Sequence, residues 1–271
     1  MAYSPVLPLG ERGFFFFPPL SPVIIWMSQM AEKKPKTKKQ EAKSAIVRLL
    51  IPSPEQLLEA GVHFGHLKRR WYPKMAPFIY TEKEGVHVFD LYKTRDQLAL
   101  AAKFLREVVS KGGKVLFVGT KKQAQEIVAR EAGRAGAFYL NKRWVGGLLT
   151  NFGSVKKNIE KMEDLSKKIR NKELSQYTKK EQLLAARDLA KLESDIGGLN
   201  GMRELPQALV LASAKSEEIA AAEARQRGIP IVGIVDTNAD PSRVNYPIPG
   251  NDDASAAISI IIETLANAVK K

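Results

Sequence analysis

Lys114-Val115-Leu116-Phe117-Val118-Gly119-Thr120-Lys121-Lys122 sets the fold class of this chain. Lys114 to Val118 (KVLFV) form a short, largely apolar run, which reads as a strand buried on both faces of a parallel sheet. Gly119-Thr120 turns the chain, and a helix is expected over 121–134. The same grammar continues in both directions. Upstream, Thr94 caps a helix that runs to about Ser110, with Leu98, Ala101, Ala102, Leu105 and Val109 on one face and Gly112-Gly113 as its stop. Downstream come a strand at Phe138–Leu140, a strand at Ala208–Ala212, a helix over 216–227 stopped by Gly228, and a strand at Ile231–Val235. Tyr246–Ile248 reads as a last short strand and 254–269 as a terminal helix. Alternating strands and helices predict an α/β fold, a doubly wound parallel sheet with helices on both faces.

Two regions depart from this alternation. Over 154–196, Val155, Ile159, Met162, Leu165 and Ile169 step by four, three, three and four, a heptad seam. Ala185, Leu189, Leu192 and Ile196 repeat it, and Thr178 with Glu181 forms a capping box at the start of that second helix. The spacing predicts an inserted, projecting α-helical hairpin (a coiled coil) with its tip near 171–177, flanked by a globular domain made of 46–153 and 197–271. Nearer the start, Ser53-Pro54-Glu55-Gln56 reads as a capped helix start and Gly61 as its end. Residues 66–75 read as a basic, aromatic, proline-interrupted loop, and Phe78–Tyr80 with Val86–Phe89 as a hairpin around Glu84-Gly85.

Residues 31–45 lack apolar anchors and are expected to be disordered. Phe14–Met27 is apolar but holds Pro18, Pro19 and Pro22 and falls short of the roughly 20 residues that cross a bilayer. Residues 1–29 are expected to be upstream sequence read through from a misplaced start, with Met30 or Met27 the true one. Intact-mass measurement on native protein tests this, and a mass that includes Met1 refutes it. The chain has no cysteine, which excludes disulfides, thiolate catalysis and zinc–thiolate sites.

The formal net charge is +14. It is unevenly placed: Met1–Asp195 holds 36 basic and 20 acidic residues, whereas Ile196–Lys271 holds 7 and 9. Concentrated like charge repels itself, and a polyanion relieves that repulsion.

The parts of an enzyme are sparse. Neither the dinucleotide-binding glycine pattern nor the phosphate-loop pattern occurs. Gly119–Lys122 lies where a strand meets a helix N-terminus and holds two lysines that suit a phosphate, although a tight turn followed by a solvated helix end is the reading we favour. His63 and His66 are spaced for a shared metal, but no third ligand stands at a telling distance, and no metal or cofactor is expected. Asp236, Asp240, Asp252 and Asp253 gather after the last strands, where α/β enzymes keep catalytic carboxylates; the same residues suit turns and helix caps, the reading we favour. His87 alternates within a strand and reads as structural.

Two basic, aromatic stretches carry the functional signal. One is Lys68-Arg69-Arg70-Trp71-Tyr72-Pro73-Lys74; the other is Asn141-Lys142-Arg143-Trp144-Val145-Gly146-Gly147, continued by Thr150-Asn151-Phe152. Lysine and arginine neutralise phosphates and displace counterions. Tryptophan and tyrosine offer flat faces to unstacked bases. The expected RNA contacts are Lys68, Arg69, Arg70, Lys74, Lys142, Arg143, Lys156 and Lys157, with Trp71 and Trp144 either stacking or positioning these loops.

At these residues the chain resembles the bacterial form of the small-subunit ribosomal protein two family. The motifs are AGVHFGH (60–66), WYPKMAPFIY (71–80), FVGTKK (117–122), NKRWVGGLLTNF (141–152), KLESDIGGLNGM (191–202), GIPIVGIVDTNADP (228–241) and IPGNDDA (248–254). They occur in the family's order from about Ser53 to Leu265; residues 1–45 have no counterpart, and Val145 replaces a commoner leucine. The resemblance implies a Rossmann-like or flavodoxin-like sheet with a protruding helical hairpin. It also implies small-subunit ribosomal RNA as ligand, other small-subunit proteins (including the messenger-binding protein one) as neighbours, a place on the cytoplasmic ribosome, and a role in assembly and architecture without catalysis, membrane or small-molecule substrate. Two other classes compete: a nucleotide- or sugar-phosphate-binding α/β enzyme using Gly119–Lys122 and the C-terminal aspartates, and a membrane-surface protein using the Phe-rich leader and the basic patch.

Overall fold

The computed structural model describes residues 51–171 and 173–270; the expectations for 1–45 lie outside them. Ser53 caps the first helix, α1 (Pro54–Glu59), through the expected capping box with Gln56. The strand β1 (Phe64–Leu67) follows, which the sequence reading had missed. It pairs antiparallel with β3 (Val86–Phe89), which also pairs antiparallel with β2 (Ile79–Lys83). The basic stretch between β1 and β2 is folded as two 3-10 turns, Lys68–Arg70 and Pro73–Phe78.

The helix α2 (Leu91–Ser110) starts four residues earlier than the sequence suggests, because Asp90 rather than Thr94 caps it by accepting from the Tyr92 and Lys93 amides. Thr94 lies inside the helix, where its hydroxyl donates to the Pro249 carbonyl. Then come β4 (Val115–Val118), α3 (Lys122–Ala135), β5 (Phe138–Leu140), α4 (Phe152–Arg170), α5 (Lys179–Ile196), β6 (Ala208–Leu211), α6 (Glu218–Gln226), β7 (Ile231–Val235), β8 (Tyr246–Pro249) and α7 (Ser255–Val269).

The second sheet has the order β5-β4-β6-β7-β8, and every pair in it is parallel. Alternate residues of each strand feed two apolar layers. Val115, Phe117, Val210, Val232 and Ile234 face α2, α3 and α7. Leu116, Val118, Leu209, Leu211 and Val235 face α6, the loop after β5 and the first half of α4. This is why the strands read as unbroken apolar runs.

The helices α4 and α5 pack on each other, and Lys161 reaches Asp188 across them at 3.7 Å. Burial fades along α4: Val155, Ile159 and Met162 are buried, Leu165 is half-buried and Ile169 is exposed. Among the described residues no helix is long and apolar enough to cross a membrane.

Candidate nucleic-acid interface

The first basic stretch is held from beneath by the turn that follows β7. The Tyr72 amide donates to the Thr237 carbonyl at 2.6 Å, and the His66 amide donates to the Thr237 hydroxyl at 2.8 Å. The Tyr72 hydroxyl and the Lys74 ammonium both bond Asp240, at 3.2 and 3.4 Å. Gly65 permits this approach, since a Cβ there would lie 2.6 Å from the Thr237 methyl group. Anchored so, the stretch turns its cations outward. Arg69 and Arg70 are exposed and form no ion pair among the described residues, while Lys68 pairs with Glu82 at 2.7 Å. Trp71 is 36% exposed, its ring tilted on the buried His87 at 5.1 Å.

The second stretch is held by one carboxylate. Glu223 on α6 accepts from the Trp144 indole N–H and the Gly147 amide through Oε1, both at 2.9 Å. Its Oε2 accepts from the amides of Leu149 and Thr150 and from the Thr150 hydroxyl, at 3.1 to 3.3 Å. Burial pushes this carboxyl up, but the bonds from Trp144, Gly147, Leu149 and Thr150 outweigh it and hold the group below the ordinary carboxylate range. One helical turn on, the Arg227 guanidinium donates to the carbonyls of Leu149 and Thr150. Trp144 is therefore an anchor of the loop. Lys142 is exposed and Lys157 likewise, Lys156 is half-buried, and none of the three is ion-paired among the described residues. Arg143 pairs with Asp195 at 3.0 Å but stays 70% exposed. Exposed pairs of this kind are worth about 0–1 kcal/mol, so they scarcely oppose an incoming phosphate.

The crevice at the C-terminal ends of β4 and β6 is where open α/β sheets take ligands. Here a side chain of the protein fills it. Glu217, 2% exposed, accepts from the Thr120 amide and hydroxyl, both at 2.9 Å, and from the Ser213 amide at 2.7 Å. Burial pushes its carboxyl up to about 7. These are donors that a bound phosphate would need. Lys121 is committed as well, bonded to Asp252 at 2.6 Å and Asp253 at 2.9 Å. Burial pulls the ammonium down, but the two carboxylates lift it above the ordinary lysine value. Gly119 is required by packing: a Cβ would lie 2.7 Å from Val128 Cγ2.

Beside it, His66 Nδ1 lies 3.0 Å from Asp236 Oδ1 and Nε2 lies 3.4 Å from Asp253 Oδ2. The bond to Asp236 raises the imidazole above its ordinary value, against the burial that lowers it. Of the carboxylates expected at turns, Asp240 caps the 3-10 turn Pro241–Arg243 and Asp236 accepts from the Thr237 amide, whereas Asp252 and Asp253 bond Lys121 instead of capping the terminal helix. Asp236 and Asp253 additionally converge on His66, a grouping that spacing along the chain did not reveal. His63 takes no part in that group. A surface cavity of about 440 Å³ bordered by Val115, Arg134, Phe138 and Lys270 lies at the opposite, N-terminal end of the strands, away from all of these groups.

The family model described as ribosomal protein S2 matches residues 57–271. The small ribosomal subunit protein uS2 of Petrotoga mobilis is 50% identical over 219 residues, which cover 81% of this chain and 76% of that protein.

Proposed function

The chain belongs to the ribosomal protein S2 family, and from that premise we propose that it is a structural constituent of the cytoplasmic small ribosomal subunit, binding small-subunit RNA and neighbouring proteins in support of assembly and translation. Arg69, Arg70, Lys142 and Lys157 contact phosphates directly, joined by Lys156 and, as their exposed ion pairs open, by Lys68, Lys74 and Arg143. Trp71 stacks or shields its loop, and Trp144 positions the other one. The fold is flavodoxin-like, since its parallel strands follow the chain order 2-1-3-4-5. Residues 154–196 form a coiled-coil hairpin inserted into a globular domain of 46–153 and 197–271, and its tip reaches a neighbouring RNA helix or protein. The messenger-binding protein one is among the neighbours.

One observation carries the reading. Two cationic loops are tied down from inside by Glu223, Thr237 and Asp240 while their charged ends face out. Against the enzyme alternative, Glu217 lies in the crevice a nucleotide phosphate would enter and takes up its donors. The reading therefore includes no catalysed reaction. Binding of the full chain to small subunits prepared without it, titrated with KCl, tests this. Affinity should fall steeply with salt, and Lys142→Ala should reduce the logarithmic salt slope by about 1. A flat salt dependence would refute the RNA-backbone reading.

A further inference from the structure

We propose that His66, Asp253 and Asn238 bind a divalent cation of the zinc class, with Asp236 orienting the imidazole from behind. The site goes beyond the RNA-binding reading and does not rest on it. Asp236 is 1% exposed, and its Oδ1 holds His66 Nδ1 at 3.0 Å. A carboxylate placed there fixes the tautomer with the proton on Nδ1 and leaves the Nε2 lone pair free, the arrangement that recurs behind metal-binding histidines. Nε2 points at Asp253 Oδ2, 3.4 Å away. Ligands at about 2.0–2.1 Å from a tetrahedral zinc ion lie roughly 3.3 Å from one another, so this gap fits a shared ion. Lys121 takes the other oxygen of Asp253, at 2.9 Å, which fixes the carboxylate and leaves Oδ2 facing the histidine.

Asn238 supplies a separate observation. Its side-chain nitrogen lies 3.0 Å from the same Nε2, while its Oδ1 is buried with no hydrogen-bond partner. A half-turn of the amide exchanges the two atoms and brings that orphaned oxygen beside His66 Nε2. Charge favours the same occupant. Among the described residues, Asp236, Asp252 and Asp253 pair with Lys121 and His66; with the imidazole protonated on Nδ1 alone the group carries a net charge of about −2, which a divalent cation cancels. Asp253 is 55% exposed, so the ion has a way in. A bound ion would tie together three loops: the end of β1, the turn after β7 and the approach to α7.

The competing occupant of the gap is a proton, giving an imidazolium between Asp236 and Asp253. The chain has three histidines, so one experiment separates the two. Metal-stripped full-length protein at pH 7.5 is titrated with Zn²⁺ and followed by ¹⁵N-detected imidazole resonances, with Co²⁺ absorption as a second readout. The proposal expects saturation at one equivalent, a metal-bound shift of His66 alone, and no movement of His87. Asp253→Asn and His66→Gln should each weaken binding at least tenfold, Asp236→Asn should weaken it about 10–100-fold, and His63→Ala should leave it unchanged. Asp253 is exposed, so its variant is expected to keep the wild-type far-ultraviolet circular dichroism, which separates lost binding from lost folding. A doubly protonated His66 indifferent to zinc, or binding that survives His66→Gln, overturns the proposal.

Discussion

Glu223→Ala removes five hydrogen bonds at one stroke, and its cost can be worked from the site. Hydrogen bonds to a charged group contribute about 1.5–3 kcal/mol each, but five such terms cannot be added, because the donors share one acceptor and one loop. Leu148 and Leu149 are fully buried, so the loop cannot swing into water to rehydrate its amides. The Gly147 amide and the Trp144 indole lie nearer the exposed Gly146 and recover water more readily. That leaves the amides of Leu149 and Thr150 as the stranded donors, at about 1–3 kcal/mol apiece. The expected loss is therefore about 2–6 kcal/mol, or roughly 4–24 °C in Tm for a domain of this size. Urea unfolding by circular dichroism at pH 7 measures it. Glu223→Gln keeps one acceptor oxygen and should lose about half as much. Since folding lowers the Glu223 pKa, its contribution is present above the ordinary carboxylate value and disappears as the pH falls through the folded value. The gap between wild type and variant should shrink accordingly in acid. A loss below about 1 kcal/mol at pH 7 would refute the claim that this carboxylate holds the loop.

Other expectations follow from the same geometry. Folding raises Glu217 to about 7, so its ionisation destabilises the protein increasingly as the pH rises from the ordinary carboxylate value through about 7; Glu217→Gln should flatten that part of a stability–pH profile recorded by urea titration, and an unchanged profile would place the titration elsewhere. Gly119→Ala should cost about 1–3 kcal/mol by forcing α3 away from β4, whatever ligands are present; a thermal melt equal to wild type would contradict the packing account. Arg143→Ala should weaken association with small subunits at low salt and lower its salt dependence, and gradient sedimentation at two KCl concentrations reads both.

The parallel sheet was legible because strands buried on both faces leave unbroken apolar runs between helical spacings. The strand β1 was not, since Phe64-Gly65-His66-Leu67 has no run and no alternation, and its place is dictated by pairing with β3. The cationic loops announced themselves by composition, yet what holds them did not. Glu217 and Glu223 look like solvated positions of a polar helix, and the loop partners they hold, Thr120 and Trp144 to Thr150, lie 73 to 97 residues away in the chain. A signal did exist: Glu217 shares helical spacing with the buried Ala220, Ala221 and Ala224, which places a carboxylate on an apolar face. Trp144 was open between stacking and anchoring, and its indole bond to Glu223 favours anchoring. His66, Asp236 and Asp253 are spread over 188 positions, so only the folded chain joins them.

The most direct test of the central claim is sedimentation of a native lysate through sucrose gradients in low and moderate salt, with this chain detected in each fraction. The account predicts that it travels with the small ribosomal subunit and stays there as salt rises to moderate levels. A chain that remains at the top of both gradients would contradict the ribosomal role.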